Sequence, residues 1–105
     1  MYVSNLTHFL NEKGNIPKEI PKEAREMAGF LVMVVDFTTK TKPSTLTPTV
    51  IRCFRKGCPG IIKSSIRSDK QEIHWYCPEC ENEGVISDWY KTKWDNCYNR
   101  NDKQM

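Results

Sequence analysis

The spacing of the cysteines constrains this chain more than any other feature. Cys53 and Cys58 are separated by four residues, Cys77 and Cys80 by two, and 18 residues lie between the pairs. Each short pair folds into a tight turn that directs two thiolates at one point, and two such turns together form a tetrahedral sulfur cage suited to zinc. The odd total of five cysteines, and the absence of an export signal at Met1–Leu10, argue against a disulfide framework.

Proline and glycine occur where these turns need them. Pro59 and Gly60 follow the first pair, Pro78 lies inside the second, and Gly84 comes shortly after it. Glycine permits positive φ angles, so we expect these residues to let backbone N–H groups approach the sulfur atoms.

With its Cys-Pro-x-Cys motif and strand-like flanks, the segment 47–90 resembles the zinc-ribbon (rubredoxin-like zinc-binding) family. In that family two knuckles on adjacent β-hairpins hold one zinc ion. The resemblance implies Zn²⁺ as the cofactor and four ligands, namely Cys53, Cys58, Cys77 and Cys80. The four-residue spacer in the first pair departs from the shorter spacer of the commonest ribbons and argues against a rubredoxin-like iron site. The run Gly84–Trp89, continued by Trp94-Asp95, is also similar to small bacterial zinc-ribbon proteins, a resemblance that names no activity.

A four-thiolate site would leave no coordination position for water or substrate, so we expect a structural metal. A chain of 105 residues has a small core, so a structural metal that cross-links it would add needed stability. His74 and Glu72 form the one acid–base pair of note, and we interpret His74 as an ordinary strand residue and Cys97 as an ordinary free thiol. We therefore expect that this protein is not an enzyme.

The hydrophobic pattern predicts a small α+β fold, in which one amphipathic α-helix precedes a zinc ribbon of antiparallel β-hairpins. Apolar residues recur at helical spacing over residues 21–38. The predicted organisation is an N-terminal lead, helix and connector over 1–46, the ribbon over 47–90, and an aromatic and polar tail over 91–105. Four strands are predicted, at Thr49–Arg52, Ile61–Arg67, Glu72–Tyr76 and Val85–Trp89.

A second apolar stripe on the helix, formed by Phe30, Met33 and Phe37, widens its apolar surface. This stripe either packs on the ribbon and the N-terminal lead, or forms a seam for a homodimer or another protein partner. The aromatic segment Trp89–Asp95 has two similar interpretations: it completes the core, or its aromatics and lysines form a stacking surface for single-stranded nucleic acid.

Charge is unevenly distributed within the ribbon. The net charge of +3 falls to about +1 when four thiolates and a divalent ion are counted. Residues 52–70 are nevertheless strongly basic, whereas 72–88 carry acidic residues without lysine or arginine. Either cross-strand ion pairs solvate the sheet, or the basic hairpin binds phosphates. The candidate nucleic-acid-binding residues are Arg52, Phe54, Arg55, Lys56, Lys63 and Arg67.

The function predicted from the sequence is therefore a module with a structural zinc site that mediates protein–protein interaction, with nucleic-acid binding as the alternative. The chain contains no run of 18 apolar residues, so we expect no membrane-spanning segment. Together with the absence of an export signal, this predicts a cytoplasmic protein.

Overall fold

A computed structural model describes residues 2–67 and 71–97. The predicted turn at Ser68–Lys70 and the tail from residue 98 onward lie outside the described residues. The elements are β1 (Tyr2–Asn5), a 3₁₀ turn (Leu6–Phe9), α1 (Lys22–Thr41), β2 (Thr47–Arg52), β3 (Ile61–Arg67), β4 (Glu72–Tyr76) and β5 (Glu83–Ser87). The chain thus has the predicted α+β composition, with one α-helix in the described part.

The strands form a five-stranded sheet in the order β1-β5-β4-β3-β2. Strands β2 to β5 pair antiparallel, whereas β1 pairs parallel with β5. The bounds of β3 and β4 are those predicted from the sequence, whereas β2 begins two residues before its predicted start, β5 begins and ends two residues earlier than predicted, and β1 was not predicted. Because β1 is a short edge strand whose partner lies at the other end of the chain, its sequence carries little local signal.

Helix α1 covers one face of the sheet and contacts β2, β3 and β4. Its buried stripe includes Ala28, Leu31, Val34 and Val35, the spacing expected of one helix face. The helix extends to Thr41, three residues beyond the predicted end, and stops where Lys42 adopts a left-handed conformation (φ 51°) and donates its N–H to the Thr38 carbonyl. Across the described residues, no helix has the length and apolar character needed to cross a bilayer.

The core lies between α1 and the sheet. Ile62, Ile73, Trp75 and Ile86 are buried beneath the helix, in agreement with the predicted alternation along β3 and β4. A buried hydrogen bond of 2.7 Å joins the hydroxyls of Thr38 on α1 and Ser64 on β3. This bond joins the helix to β3, next to the central strand β4.

An aromatic cluster closes the core near β1. The Trp75 ring stacks on Tyr2 at a centroid distance of 5.8 Å and meets the edge of Phe30 at 5.0 Å. Phe54 in turn contacts Phe30 at 5.4 Å. At Gly84 on β5, a Cβ atom would lie 2.7 Å from Trp75 Nε1, so glycine is needed there because β1, β5 and the indole approach closely.

Residues 89–97 return to the helix. Trp89 is buried in the core and Trp94 packs against it, as expected for a segment that completes the core. The buried Asp95 carboxylate accepts hydrogen bonds from the backbone N–H groups of Lys91 (2.9 Å) and Cys97 (3.0 Å). Asn96 then donates its N–H to Thr39 Oγ1 on α1.

Candidate metal centre

Two loops at one end of the sheet carry the four cysteines of the spaced pairs. Cys53 and Cys58 belong to the loop between β2 and β3, and Cys77 and Cys80 to the loop between β4 and β5. Because β3 and β4 are neighbours, and Lys63 near the start of β3 pairs with Tyr76 at the end of β4, the two loops lie side by side.

Backbone hydrogen bonds close each loop. In the first, the Cys53 N–H donates to the Gly60 carbonyl at 2.9 Å. In the second, the Cys77 N–H donates to the Asn82 carbonyl, and the Glu81 N–H to the Cys77 carbonyl, both at 2.8 Å. These bonds hold the cysteine backbones, and with them the thiols, at defined positions.

The four sulfur atoms converge. All of them lie within 4.8 Å of one another. Two contacts of 3.6 Å, Cys53 to Cys80 and Cys58 to Cys77, each join a sulfur of one loop to a sulfur of the other. Metal–sulfur bonds of about 2.3 Å in a tetrahedron require sulfur–sulfur distances of about 3.8 Å. The cluster therefore has the size and the donor set of a four-thiolate metal site.

Two glycines shape the first loop, for different reasons. Gly57 has a positive φ of 81°, a conformation that the sequence predicted at Gly60 and Gly84 instead. Gly60 has no positive φ; it is required because a Cβ atom there would lie 2.6 Å from Cys77 Sγ. Its N–H group points at Cys58 Sγ over 3.4 Å, which stabilises negative charge on that sulfur.

As free thiols, the cysteines of the cluster titrate differently. Burial raises the pKa of Cys53 to about 12. At Cys58 the Gly60 N–H lowers the pKa, but burial and the neighbouring thiols of Cys77 and Cys80 outweigh it, and the net change is upward. The Asn82 backbone N–H lowers the pKa of Cys80 to about 7. Among these three thiols, Cys80 is the one that most readily offers a thiolate to an incoming cation.

The remaining candidate residues are not part of this cluster. Cys97 donates its S–H to the Thr39 carbonyl at 3.4 Å. His74 lies on β4, as predicted, and its Nε2 is 3.0 Å from Glu83 Oε1 on β5. Its carboxylate partner is therefore on the neighbouring strand, and is not the Glu72 that the sequence suggested.

The predicted helical partner face is only partly exposed. Phe30 is 5% exposed and belongs to the core, in contact with Phe54 and Trp75. Phe37 is half-buried against the core, and Met33 is 53% exposed. The stripe is therefore divided, and Phe30 is not accessible to a partner because it packs in the core.

The candidate nucleic-acid-binding residues divide into three groups. Arg55 and Lys56 are exposed on the first cysteine loop. Phe54, on the same loop, turns inward to Phe30 and Tyr2. Arg52, Lys63 and Arg67 lie on the face of the sheet opposite α1. Along their strands they alternate with residues that face the helix, and across the sheet they pair with residues of the opposite face.

Two buried polar features of the core were not predicted from the sequence. The Thr38–Ser64 hydroxyl pair and the buried Asp95 are polar groups at positions of the core. A hydroxyl at an apolar position of a helix is a weak signal, and nothing in the sequence indicates which residue it would meet.

Comparison of this chain with protein-family models, with curated proteins and with solved structures found no match.

Proposed function

We propose that this chain is a zinc-ribbon-like interaction domain, in which Cys53, Cys58, Cys77 and Cys80 hold one structural Zn²⁺. The observation that carries the proposal is the convergence of the four Sγ atoms within 4.8 Å. Hard cations such as Mg²⁺ and Ca²⁺ prefer oxygen ligands, whereas thiolates select zinc or iron. Zinc is favoured because closed four-cysteine sites are a common form of structural zinc site.

The metal would cross-link the two halves of the sheet. Each sulfur contact of 3.6 Å joins the β2–β3 loop to the β4–β5 loop, so a bound ion ties two hairpins together. Four thiolates fill the tetrahedral shell and leave no position for a substrate, which supports a structural role and not a catalytic one. We therefore propose that the domain acts by binding and not by catalysis.

The surface that we assign to binding is the open face, which is the side of the sheet opposite α1. In the described part of the chain no helix packs on it. Among its apolar side chains, Val3 is 78%, Val50 79% and Ile61 43% exposed. The open face includes Val3, Pro48, Val50, Arg52, Ile61, Lys63, Arg67, Glu72, His74, Tyr76, Glu83, Val85 and Ser87, together with the buried Ser65. Exposed apolar residues grouped on one sheet face favour a protein partner.

Nucleic-acid binding is the second candidate, and one observation favours it. Arg52, Lys63 and Arg67 lie on the same open face, and the exposed Arg55 and Lys56 lie at the end of the sheet near them. Basic residues along one surface are the usual footprint of a phosphate backbone.

The two candidates are separated by fluorescence anisotropy of zinc-loaded protein with labelled single- and double-stranded DNA and RNA, at low and physiological salt. If the domain binds a protein partner, we expect no binding of the labelled nucleic acids at physiological salt. Binding that weakens steeply with salt and is lost in the variant Arg55→Glu/Lys56→Glu, while Met33→Asp behaves like the parent, would instead support the nucleic-acid candidate. Metal analysis of the same samples tests the zinc site separately.

A further inference from the structure

The open face carries opposite charges on its two sides. The strands β2 and β3 contribute Arg52, Lys63 and Arg67, whereas β4 and β5 contribute Glu72 and Glu83. Within the described residues the ion pair on this face is that of His74 and Glu83. In the described part of the chain no ion pair joins Arg52, Lys63 or Arg67 to a carboxylate, although Arg67 lies opposite Glu72 in the strand register.

One row of residues crosses this boundary. The strand register aligns Lys63 on β3 with Tyr76 on β4, and Tyr76 with Glu83 on β5. Paired residues of a ladder point to the same side of the sheet, so a cation, an aromatic ring and an anion follow one another across three strands. Within this row the charge is positive on one side of β4 and negative on the other.

We propose that the partner of the open face is a second copy of this chain, with a two-fold axis that runs along β4 between the two facing sheets. Rotation about such an axis places β3 of one copy over β5 of the other. Lys63 then faces Glu83 of the second copy, the reciprocal pair forms on the other side, and the two Tyr76 rings meet at the axis. An isologous interface of this kind is self-complementary. This proposal rests on the proposed function, because it names the partner of the same surface.

The dimensions of the face fit a modest dimer. The sheet has five strands, and with a spacing of about 4.8 Å between strands and about 3.3 Å per residue its face measures roughly 24 Å by 20 Å. Two such faces in contact bury on the order of 1,000 Å², the lower end of specific interfaces. The exposed Val3, Val50 and Ile61 would supply its apolar part.

Charge also favours a second copy over a nucleic acid on this face. Glu72 and Glu83 lie on the strands next to the basic side, and a phosphate backbone that crossed the sheet would meet both carboxylates. A second copy places the basic Lys63 against the acidic Glu83 twice, once on each side of the axis, whereas Glu72 on β4 faces Glu72 of the second copy at the axis.

Charge reversal tests this arrangement, with zinc-loaded protein in sedimentation-velocity measurements over a range of concentrations. The parent chain is expected to be a dimer that dissociates on dilution. Lys63→Glu and Glu83→Lys each bring two like charges together and are expected to raise the dimer Kd by at least about tenfold. An equimolar mixture of the two variants restores both attractive pairs and is expected to dimerise like the parent, as is the double variant in one chain. Met33→Asp, on the opposite side of the molecule, is the control and is expected to leave the Kd unchanged.

Three outcomes would overturn the proposal. A parent chain that is monomeric at every concentration while holding one metal ion would exclude the dimer and leave the zinc site intact. A dimer disrupted by Met33→Asp and insensitive to charge reversal would move the interface to the helix. Salt-sensitive nucleic-acid binding that is lost in Lys63→Glu would assign the face to phosphate recognition. A parent chain that binds no metal ion, by contrast, would contradict the proposed function itself.

Discussion

A Cβ atom at Gly60 would lie 2.6 Å from the Sγ of Cys77. Gly60 belongs to the β2–β3 loop and Cys77 to the β4–β5 loop, so this contact measures how closely the two cysteine loops approach. The cluster depends on this approach, because each short sulfur contact joins one loop to the other.

The first prediction follows from this contact. Gly60→Ala is expected to push the two loops apart and to lower the zinc affinity by roughly 10- to 100-fold, the effect typical of a lost supporting contact around a metal site. Competition with a chromophoric chelator measures it. The matched control is Gly29→Ala, where a Cβ atom would meet nothing within 4 Å; in a helix this change is expected to stabilise the fold by about 0.5–1 kcal/mol. Equal affinity in both variants would show that the loops do not need the close approach.

The second prediction compares a cysteine of the cluster with one outside it. Cys77→Ser removes one of four sulfur donors and is expected to lower the zinc affinity by at least about 100-fold, more than the loss of a supporting contact. Cys97→Ser is the matched control, since Cys97 contacts the Thr39 carbonyl on α1 and is not part of the cluster. Chelator competition and thermal melting of both variants check the prediction, and a comparable loss in Cys97→Ser would contradict the assignment of the four ligands.

The third prediction concerns pH. Since the pKa of Cys53 is raised to about 12 and that of Cys58 is also raised, both thiols hold their protons at neutral pH and must release them when a metal binds. We expect the apparent affinity to rise with pH, by about tenfold per pH unit for each displaced proton. The pKa of Cys80 is about 7, so below that pH Cys80 is also protonated and releases a further proton when the metal binds. The apparent affinity therefore changes more steeply with pH in that range.

Calorimetric titration in buffers of different ionisation enthalpy measures the number of protons released. The expected result is at least about two protons at neutral pH, from Cys53 and Cys58. An affinity that does not change between pH 6 and pH 8 would show that the metal does not bind through these thiols.

The fourth prediction concerns the buried hydroxyl pair. Thr38→Val leaves the Ser64 hydroxyl without its 2.7 Å partner in a fully buried position, and is expected to cost about 1–3 kcal/mol of unfolding free energy. Ser64→Ala is expected to cost less, because the Thr38 hydroxyl can bond to a carbonyl of its own helix. The double variant should lose less than the sum of the two. Urea unfolding of all four proteins gives the coupling, and strict additivity would contradict a direct bond.

Much of the fold could be predicted because its signals are local. The alternation along Ile61–Arg67 and Glu72–Tyr76 and the helical spacing after Pro21 reflect the burial of one side of each element. The cysteine pairs are equally local, because each lies within one turn. What brings the pairs together is the pairing of β3 with β4, and the predicted hairpins already imply that pairing.

The parts that could not be predicted depend on distant contacts. Strand β1 forms because Tyr2 pairs with Gly84 and stacks on Trp75, and none of these residues is near another in the sequence. The same cluster decides between the two interpretations of Phe30 that the helical pattern left open: its ring packs against Trp75 and Phe54 in the core. The roles of Gly60 and Gly84 were misjudged, since a closely approaching side chain, Cys77 at Gly60 and Trp75 at Gly84, and not a positive φ requires the glycine.

We propose above all that the four-cysteine cluster holds one zinc ion on which the fold depends. The most direct test is elemental analysis of the purified protein, with circular-dichroism melting before and after treatment with a strong chelator. The account predicts one zinc per chain, loss of cooperative melting on chelation, and recovery when zinc is restored. A protein that contains no metal, takes up none when zinc is supplied, and melts identically with and without chelator would contradict it.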